Sequence, residues 1–155
     1  MDIRHKHQAR DLLARARMGV IGVTPDASVL DAIRLMAERD IGAVVVMRGD
    51  QLAGILSERD CARKLELEGR TARDTPAHAI MNADVVTVAP DASVDQCIKL
   101  MAAHRIRHLP VCEGGRIVGV LSARDVLEDV IVEDQARLRD VDTQDLINRN
   151  NPGIY

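Results

Sequence analysis

Displaced by 65 residues, the sequence overlays itself without a gap from Thr24 on Ala89 to Lys64 on Asp129, and 17 of the 41 paired positions are identical. A repeat of this period constrains the fold more than any local pattern, because each copy is one supersecondary unit. Two copies are too few for an open solenoid, so each half must bury its incomplete apolar face against the other. Three phrases carry the repeat: PDASV at 25–29 and 90–94, LMA at 35–37 and 100–102, and GILSERD at 54–60 against GVLSARD at 119–125.

Both copies read in the same order of elements. VIGV (20–23) and VVTV (85–88) are β-branched runs ended by a Pro, the pattern of a short strand. Ser28 and Ser93 stand three residues before Asp31 and Gln96, the reciprocal capping arrangement that opens a helix. Its buried face is read as Val29, Ile33 and Met36 in one copy and Val94, Ile98 and Met101 in the other. AVVVM and QLAGILS flank a Gly-containing turn at Arg48–Asp50, and LPVC and RIVGVLS flank Glu113–Gly115, so each half has a β-hairpin. A second helix follows from Glu58 and from Ala123. Between the copies Thr75–Pro76 marks a helix start, and residues 1–19 are expected to supply the equivalent helix ahead of the first copy. The fold class is therefore α/β of the α+β kind: two pseudo-symmetric repeats, each strand-helix-strand-strand-helix with a small mixed sheet.

Composition narrows the function. Lys plus Arg number 21 against 24 Asp plus Glu, so a net charge of −3 gives no sign of a nucleic-acid or anionic-membrane coat. The longest apolar stretch, IGAVVVM at 41–47, falls far short of a membrane span, and MDIRHKHQARD lacks the apolar run of a secretory signal. A cytoplasmic protein with free thiols at Cys61, Cys97 and Cys112 is expected, since three cysteines without a CxxC spacing cannot all pair within one chain. Phe and Trp are absent and Tyr155 is the only aromatic, so any ligand is held without ring stacking.

The duplicated phrase carries the chemistry. Ser57 and Ser122 each leave a strand and enter a helix, where free backbone N–H groups and the helix dipole favour an anion such as a phosphate. Asp60 and Asp125 lie one turn in, where a carboxylate can accept both hydroxyls of a ribose. The same Ser-x-x-Asp is also a capping box that stabilises each helix by ~1 kcal/mol, and the residues alone leave both readings open. His104, Arg105, Arg107 and His108 form a basic cluster suited to a phosphate or to a solvated helix end. His104 and His108 are four apart, but the strand signal begins at about His108, and His5–His7 lie near a terminus; neither is read as a metal site. No Cys stands with a His and an orienting carboxylate, and no Gly-rich phosphate loop appears, so catalysis is not expected.

The span from about 10 to 132 resembles a tandem pair of cystathionine-β-synthase (CBS) domains, often called a Bateman module. The resemblance rests on the two Gly-x-x-Ser-x-x-Asp phrases, on IRHLPV at 106–111, and on the run SERDCARKLELEGRTARDTP, which is similar to stand-alone members of the family. It implies repeats at 10–68 and 75–132, an N-terminal extension 1–9 and a C-terminal helical tail 133–155. It further implies a regulatory module that senses AMP, ADP, ATP or S-adenosylmethionine in the cleft between the repeats and modulates an unidentified partner protein, with no metal required. The implied ligand-binding residues are Thr24, Gly42, Ala43, Ser57, Arg59 and Asp60 in the first copy. In the second they are Val86, Thr87, Arg107, His108, Leu109, Pro110, Ser122, Arg124 and Asp125. Adenine would lie among Val20, Ile21, Ala43 and Ile55, or Val85, Val86, Leu109 and Val120. The second site is expected to be the tighter, because Thr87, Arg107 and His108 stand where the first copy has Gly22, Gly42 and Ala43.

A homodimer is expected, with the apolar stripe from Val126 through Ile131, Leu138 and Val141 towards Leu146 and Ile147 covering a neighbouring subunit. The helix is expected to end at Asn151–Gly153, with Ile154 and Tyr155 as a short end. Nucleic acid and membrane are not expected partners. The competing reading is a dimerisation and protein-docking module without a ligand.

Overall fold

The computed structural model describes residues 5–16 and 19–149, with side chains to Val141; the expected helix end at Asn151–Gly153 and the terminal Ile154–Tyr155 lie outside the described residues. The elements run α1 (Ala9–Ala16), β1 (Gly22–Val23), α2 (Val29–Arg39), β2 (Ala43–Arg48), β3 (Gln51–Ser57), α3 (Glu58–Glu68) and α4 (Ala77–Ile80). The second copy continues with α5 (Val94–His104), β4 (His108–Glu113), β5 (Arg116–Ser122) and α6 (Ala123–Arg149). One five-stranded mixed sheet orders them β1-β2-β3-β5-β4.

The caps explain where the helices begin and end. Ser28 Oγ accepts the Asp31 N–H at 3.0 Å and opens α2, whereas Ser93 and Gln96 exchange both capping bonds and open α5. Each helix closes on a left-handed non-glycine residue at the matching position, Asp40 (φ 51°) and Arg105 (φ 53°). The buried faces are Val29, Ala32 and Met36 on α2 and Val94, Cys97 and Met101 on α5. Ala32 and Cys97 thus take the inner place expected for Ile33 and Ile98, and Ile98 is 37% exposed.

The hairpins are near-copies. β2 pairs antiparallel with β3 from Ala43 opposite Ser57, with a bulge at Val46/Met47; β4 pairs with β5 from His108 opposite Ser122, with the bulge at Val111/Cys112. The outer strands differ. In the first copy only Gly22–Val23 of the expected VIGV strand is regular, running parallel to Val45–Val46. In the second copy VVTV forms a single bridge, Val88 with Val111. Pro110 explains the loss: the Val45 N–H donates to the Ile21 carbonyl at 3.2 Å, and Pro110, in the equivalent place, has no N–H to give.

The short helices ahead of each copy are exchanged. α1 precedes the first repeat but hangs on the second, where the Ala9 N–H donates to the Ala92 carbonyl at 2.8 Å and Ala9 and Leu12 join the core of Val94, Cys97, Leu109 and Leu121. α4 precedes the second repeat but hangs on the first, where the Ala77 N–H donates to the Ala27 carbonyl at 2.7 Å and Ala77 and Ile80 join the core of Val29, Met36, Val44 and Leu56. Gly54 and Gly119 permit this close approach. A Cβ at Gly54 would stand 2.6 Å from Met81 Sδ, and one at Gly119 would stand 2.6 Å from Leu13 Cδ2. Between the repeats, Gln51 of β3 pairs with its own counterpart, Arg116 of β5, and the Ile117 N–H donates to the Asp50 carbonyl at 3.2 Å.

Candidate nucleotide cleft

Each hairpin delivers its Ser-x-x-Asp phrase to a helix start. The Asp60 N–H donates to Ser57 Oγ at 3.1 Å, and the Asp125 N–H donates to Ser122 Oγ at 3.1 Å. The strand leading into each hairpin closes the same turn from the other side: the Glu58 N–H donates to the Gly42 carbonyl at 3.0 Å, and the Ala123 N–H to the Arg107 carbonyl at 2.7 Å. The two turns adjoin, for a Cβ on Gly42 would lie 3.4 Å from the His108 ring. The structure therefore brings Gly42, Ala43, Ser57 and Asp60 of one repeat beside Arg107, His108, Ser122 and Asp125 of the other.

The carboxylates are not equivalent. Asp125 Oδ2 accepts the Ser122 N–H at 2.8 Å and completes a reciprocal capping box. Asp60 makes no such bond; its carboxylate has no hydrogen-bond partner among the described residues. Capping therefore accounts for Asp125 in part and for Asp60 only through its backbone.

Burial disfavours the protonated form of His108. Burial pushes its pKa below the ordinary histidine value and the Arg107 charge adds to this, while Asp125 of its own repeat and Glu58 of the other pull the other way without prevailing. Arg59 and Arg107 are exposed and form no ion pair among the described residues, whereas Arg124 donates to Glu128 at 3.1 Å across one turn of α6. Thr24 and Thr87 are exposed and Val86 is half-buried. Leu109 is fully buried in the second core and Pro110 is buried in β4, so Leu109 offers the cleft its backbone and not its side chain. Gly22 has a structural reason: a Cβ there would stand 2.7 Å from the Val45 carbonyl oxygen.

The thiols are quiescent. Cys61 lies in the first turn of α3, where the helix start favours a thiolate, yet burial and the neighbouring Asp60 push its pKa up to about 11. Burial also raises Cys97 and Cys112. An open depression of about 490 Å³ on the second repeat, lined by Val88, Ala89, Asp91, Ala92, Gln96, Lys99 and Leu100, contains none of the expected site residues. With Lys99 as its one cation and no helix-start Ser-x-x-Asp, it lacks the donors that a nucleotide requires. Sequence reasoning passed over a different group, His7, Asp129 and Glu133, which the fold brings together; its signals were the terminal HKH and the four-residue spacing of the two acids.

Two copies of one α+β unit, locked by exchanged helices and presenting paired helix starts at their junction, define a tandem-repeat scaffold. The comparisons give it a family: the CBS domain model matches residues 9–67 and 77–131, and the chain belongs to that family. It is 37% identical over 121 residues to the mitochondrial CBS domain-containing protein CBSX3 of Arabidopsis thaliana, spanning 75% of this chain and 59% of that relative. A putative signal-transduction protein with CBS domains from Burkholderia ambifaria superposes with a TM-score of 0.74 at 44% identity, covering 80% of this chain and 93% of that one. The CBS domain protein PAE2072 from Pyrobaculum aerophilum, solved in complex with AMP, superposes with a TM-score of 0.69 at 26% identity, covering 77% and 89%. Paired CBS domains are regulatory modules. No helix among the described residues is long and apolar enough to cross a membrane.

Proposed function

We propose that the chain is a cytoplasmic regulatory module that binds an adenosine-bearing ligand, AMP, ADP, ATP or S-adenosylmethionine, between its repeats and passes the bound state to a partner protein. One observation carries this reading: Asp60, in the first turn of a helix that starts against the other repeat, presents a carboxylate engaged by no hydrogen bond among the described residues. The AMP bound by a relative of the same fold supports it. In each site the Asp accepts the ribose hydroxyls, the Ser and the helix N-terminus face the phosphate, and the apolar strand ends cover adenine. Thr24 and Thr87 stand at the base or ribose edge, and Arg59, Arg107 and Arg124 supply positive charge. The repeats divide at 10–68 and 75–132, and the ligand requires no metal.

The second site is the tighter. Sharing Asp125 with the Ser122 N–H forfeits about 1 kcal/mol, less than the ~1.5–3 kcal/mol of each charge-assisted hydrogen bond that Arg107 adds. Ligand released by denaturation and identified by mass should be an adenosyl compound. Calorimetry against the four candidates should show Asp125→Ala weakening binding at least about tenfold, and an unchanged affinity in that variant overturns the assignment. A protein that ignores all four ligands is instead the interaction module, a reading favoured by the exposed Leu127, Ile131, Leu138 and Val141 on α6. Those residues are four, seven and three positions apart, the spacing of one helix face, and a second copy of the same helix is their natural cover in a homodimer.

A further inference from the structure

The segment ahead of α1 lies against α6, away from the duplicated phrases. His5 secures it on one side, its N–H and Nδ1 reaching the two Asp95 carboxylate oxygens at 3.1 and 2.8 Å. Two residues on, His7 Nδ1 stands 2.9 Å from Asp129 Oδ1 and 2.9 Å from Glu133 Oε1. The acids are one helical turn apart on α6; Asp129 is fully buried and Glu133 is 9% exposed.

These contacts are close without being hydrogen bonds. His7 Nδ1 and Asp129 Oδ2 are both buried and without a hydrogen-bond partner, so neither carboxylate lies along a ring N–H. Ligand-type atoms of three residues thus converge with no hydrogen bond among them. The surrounding contacts hold the acids in position. Arg15 donates to Asp129 Oδ1 at 2.8 Å, the Lys6 N–H donates to Glu133 Oε1 and Oε2 at 3.0 and 3.3 Å, and Arg137 donates to Glu133 Oε2 at 3.4 Å. None of these donors reaches Asp129 Oδ2.

We propose that His7, Asp129 and Glu133 bind one divalent transition-metal ion, which fastens the N-terminal segment to α6. One imidazole nitrogen with two carboxylates is a borderline donor set suited to Zn²⁺ or Mn²⁺, with Zn²⁺ the stronger binder. Around an ion ~2.1 Å from its ligands, neighbouring donors stand about 3.0 Å apart in octahedral and about 3.4 Å apart in tetrahedral geometry. The two spacings from His7, 2.9 Å each, therefore need to open by only a few tenths of an ångström, and all three ligand atoms lie within 4.8 Å of one another. His7 is 35% exposed and gives the ion an entry path. Arg15, 50% exposed, competes with the ion for Asp129 Oδ1 and swings out when the ion enters.

The test is calorimetric titration of the chelator-stripped, untagged chain with ZnCl₂ and with MnCl₂, alongside melting with and without metal. One equivalent of Zn²⁺ per chain and a raised melting temperature are expected. Loss of outer contacts alone weakens metal sites ~10–100-fold, so His7→Gln and Glu133→Gln should each weaken binding by about tenfold or more. Arg15→Gln should tighten it. Circular dichroism verifies that each variant folds; should Glu133→Gln fail, His7→Gln, on the terminal segment, still decides. With Co²⁺ as probe, a thiolate charge-transfer band would move the site to the cysteines and overturn the proposal. A wild type whose melting ignores both metal and chelator, or an affinity unchanged in His7→Gln, would leave an ionic cluster only and overturn it as well.

Discussion

At the scale of single residues, local environment sets behaviours that the sequence leaves open. Arg105 closes α5 in the left-handed region with a side chain ill suited to it, at a cost of about 1–2 kcal/mol, and glycine loses ~0.5–1 kcal/mol of that advantage to chain entropy. Arg105→Gly should therefore stabilise the protein by roughly 0.5–1 kcal/mol, read as a shifted denaturant midpoint. His108 carries the pH dependence. Its pKa is lower folded than unfolded, so the stability it contributes is fully present above about pH 6.5 and is lost as pH falls through the folded value. His108→Gln should flatten that part of the acid limb. A phosphate placed beside the ring would reverse the shift, so nucleotide binding near pH 6 should take up protons, detectable as a binding heat that varies with the buffer. The thiols should resist alkylation at neutral pH in the folded protein, Cys61 most of all, and react on unfolding. None of these was legible in advance, because a left-handed cap, a buried imidazole and a raised thiol each depend on neighbours brought in by the fold.

Among the elements, the repeat made the plan legible and tertiary contacts decided its exceptions. Both hairpins, the capped helices and both Ser-x-x-Asp turns fall where the duplicated phrases put them, since caps and turns are local chemistry. The VVTV strand reduces to one bridge because a proline on the adjacent strand removes its donor, a loss invisible within VVTV itself. In the cleft, pattern found both carboxylates but not their inequality. That inequality is testable without any ligand: Asp125→Ala removes a cap bond and should cost about 1 kcal/mol, whereas Asp60→Ala removes no side-chain hydrogen bond and should cost less. Denaturant melts of the two variants compare them directly, and near-equal losses would show that Asp60 also caps. His7 was set aside as a metal ligand because its partners Asp129 and Glu133 lie more than a hundred residues away in the sequence.

For the whole molecule, the exposed apolar row on α6 bears on assembly. For the proposed homodimer, Leu138→Glu, at a position 65% exposed, should leave the fold intact while shifting sedimentation from dimer to monomer at micromolar concentration; an unmoved dimer would place the contact elsewhere, and a monomeric wild type would remove the homodimer. The exchange of α1 and α4 bears on ancestry. A lone repeat with its own leading helix holds an arm that fits only a neighbour, so two such chains would embrace by trading arms, and the present protein has the form of that embrace fused into one chain. Residues 70–149 expressed alone should accordingly self-associate in pairs, each α4 lying where α1 lies now. A gene doubling that joined such a pair would have made the trade permanent and freed the two halves to diverge, which is how one aspartate can come to cap its helix while its twin stays open.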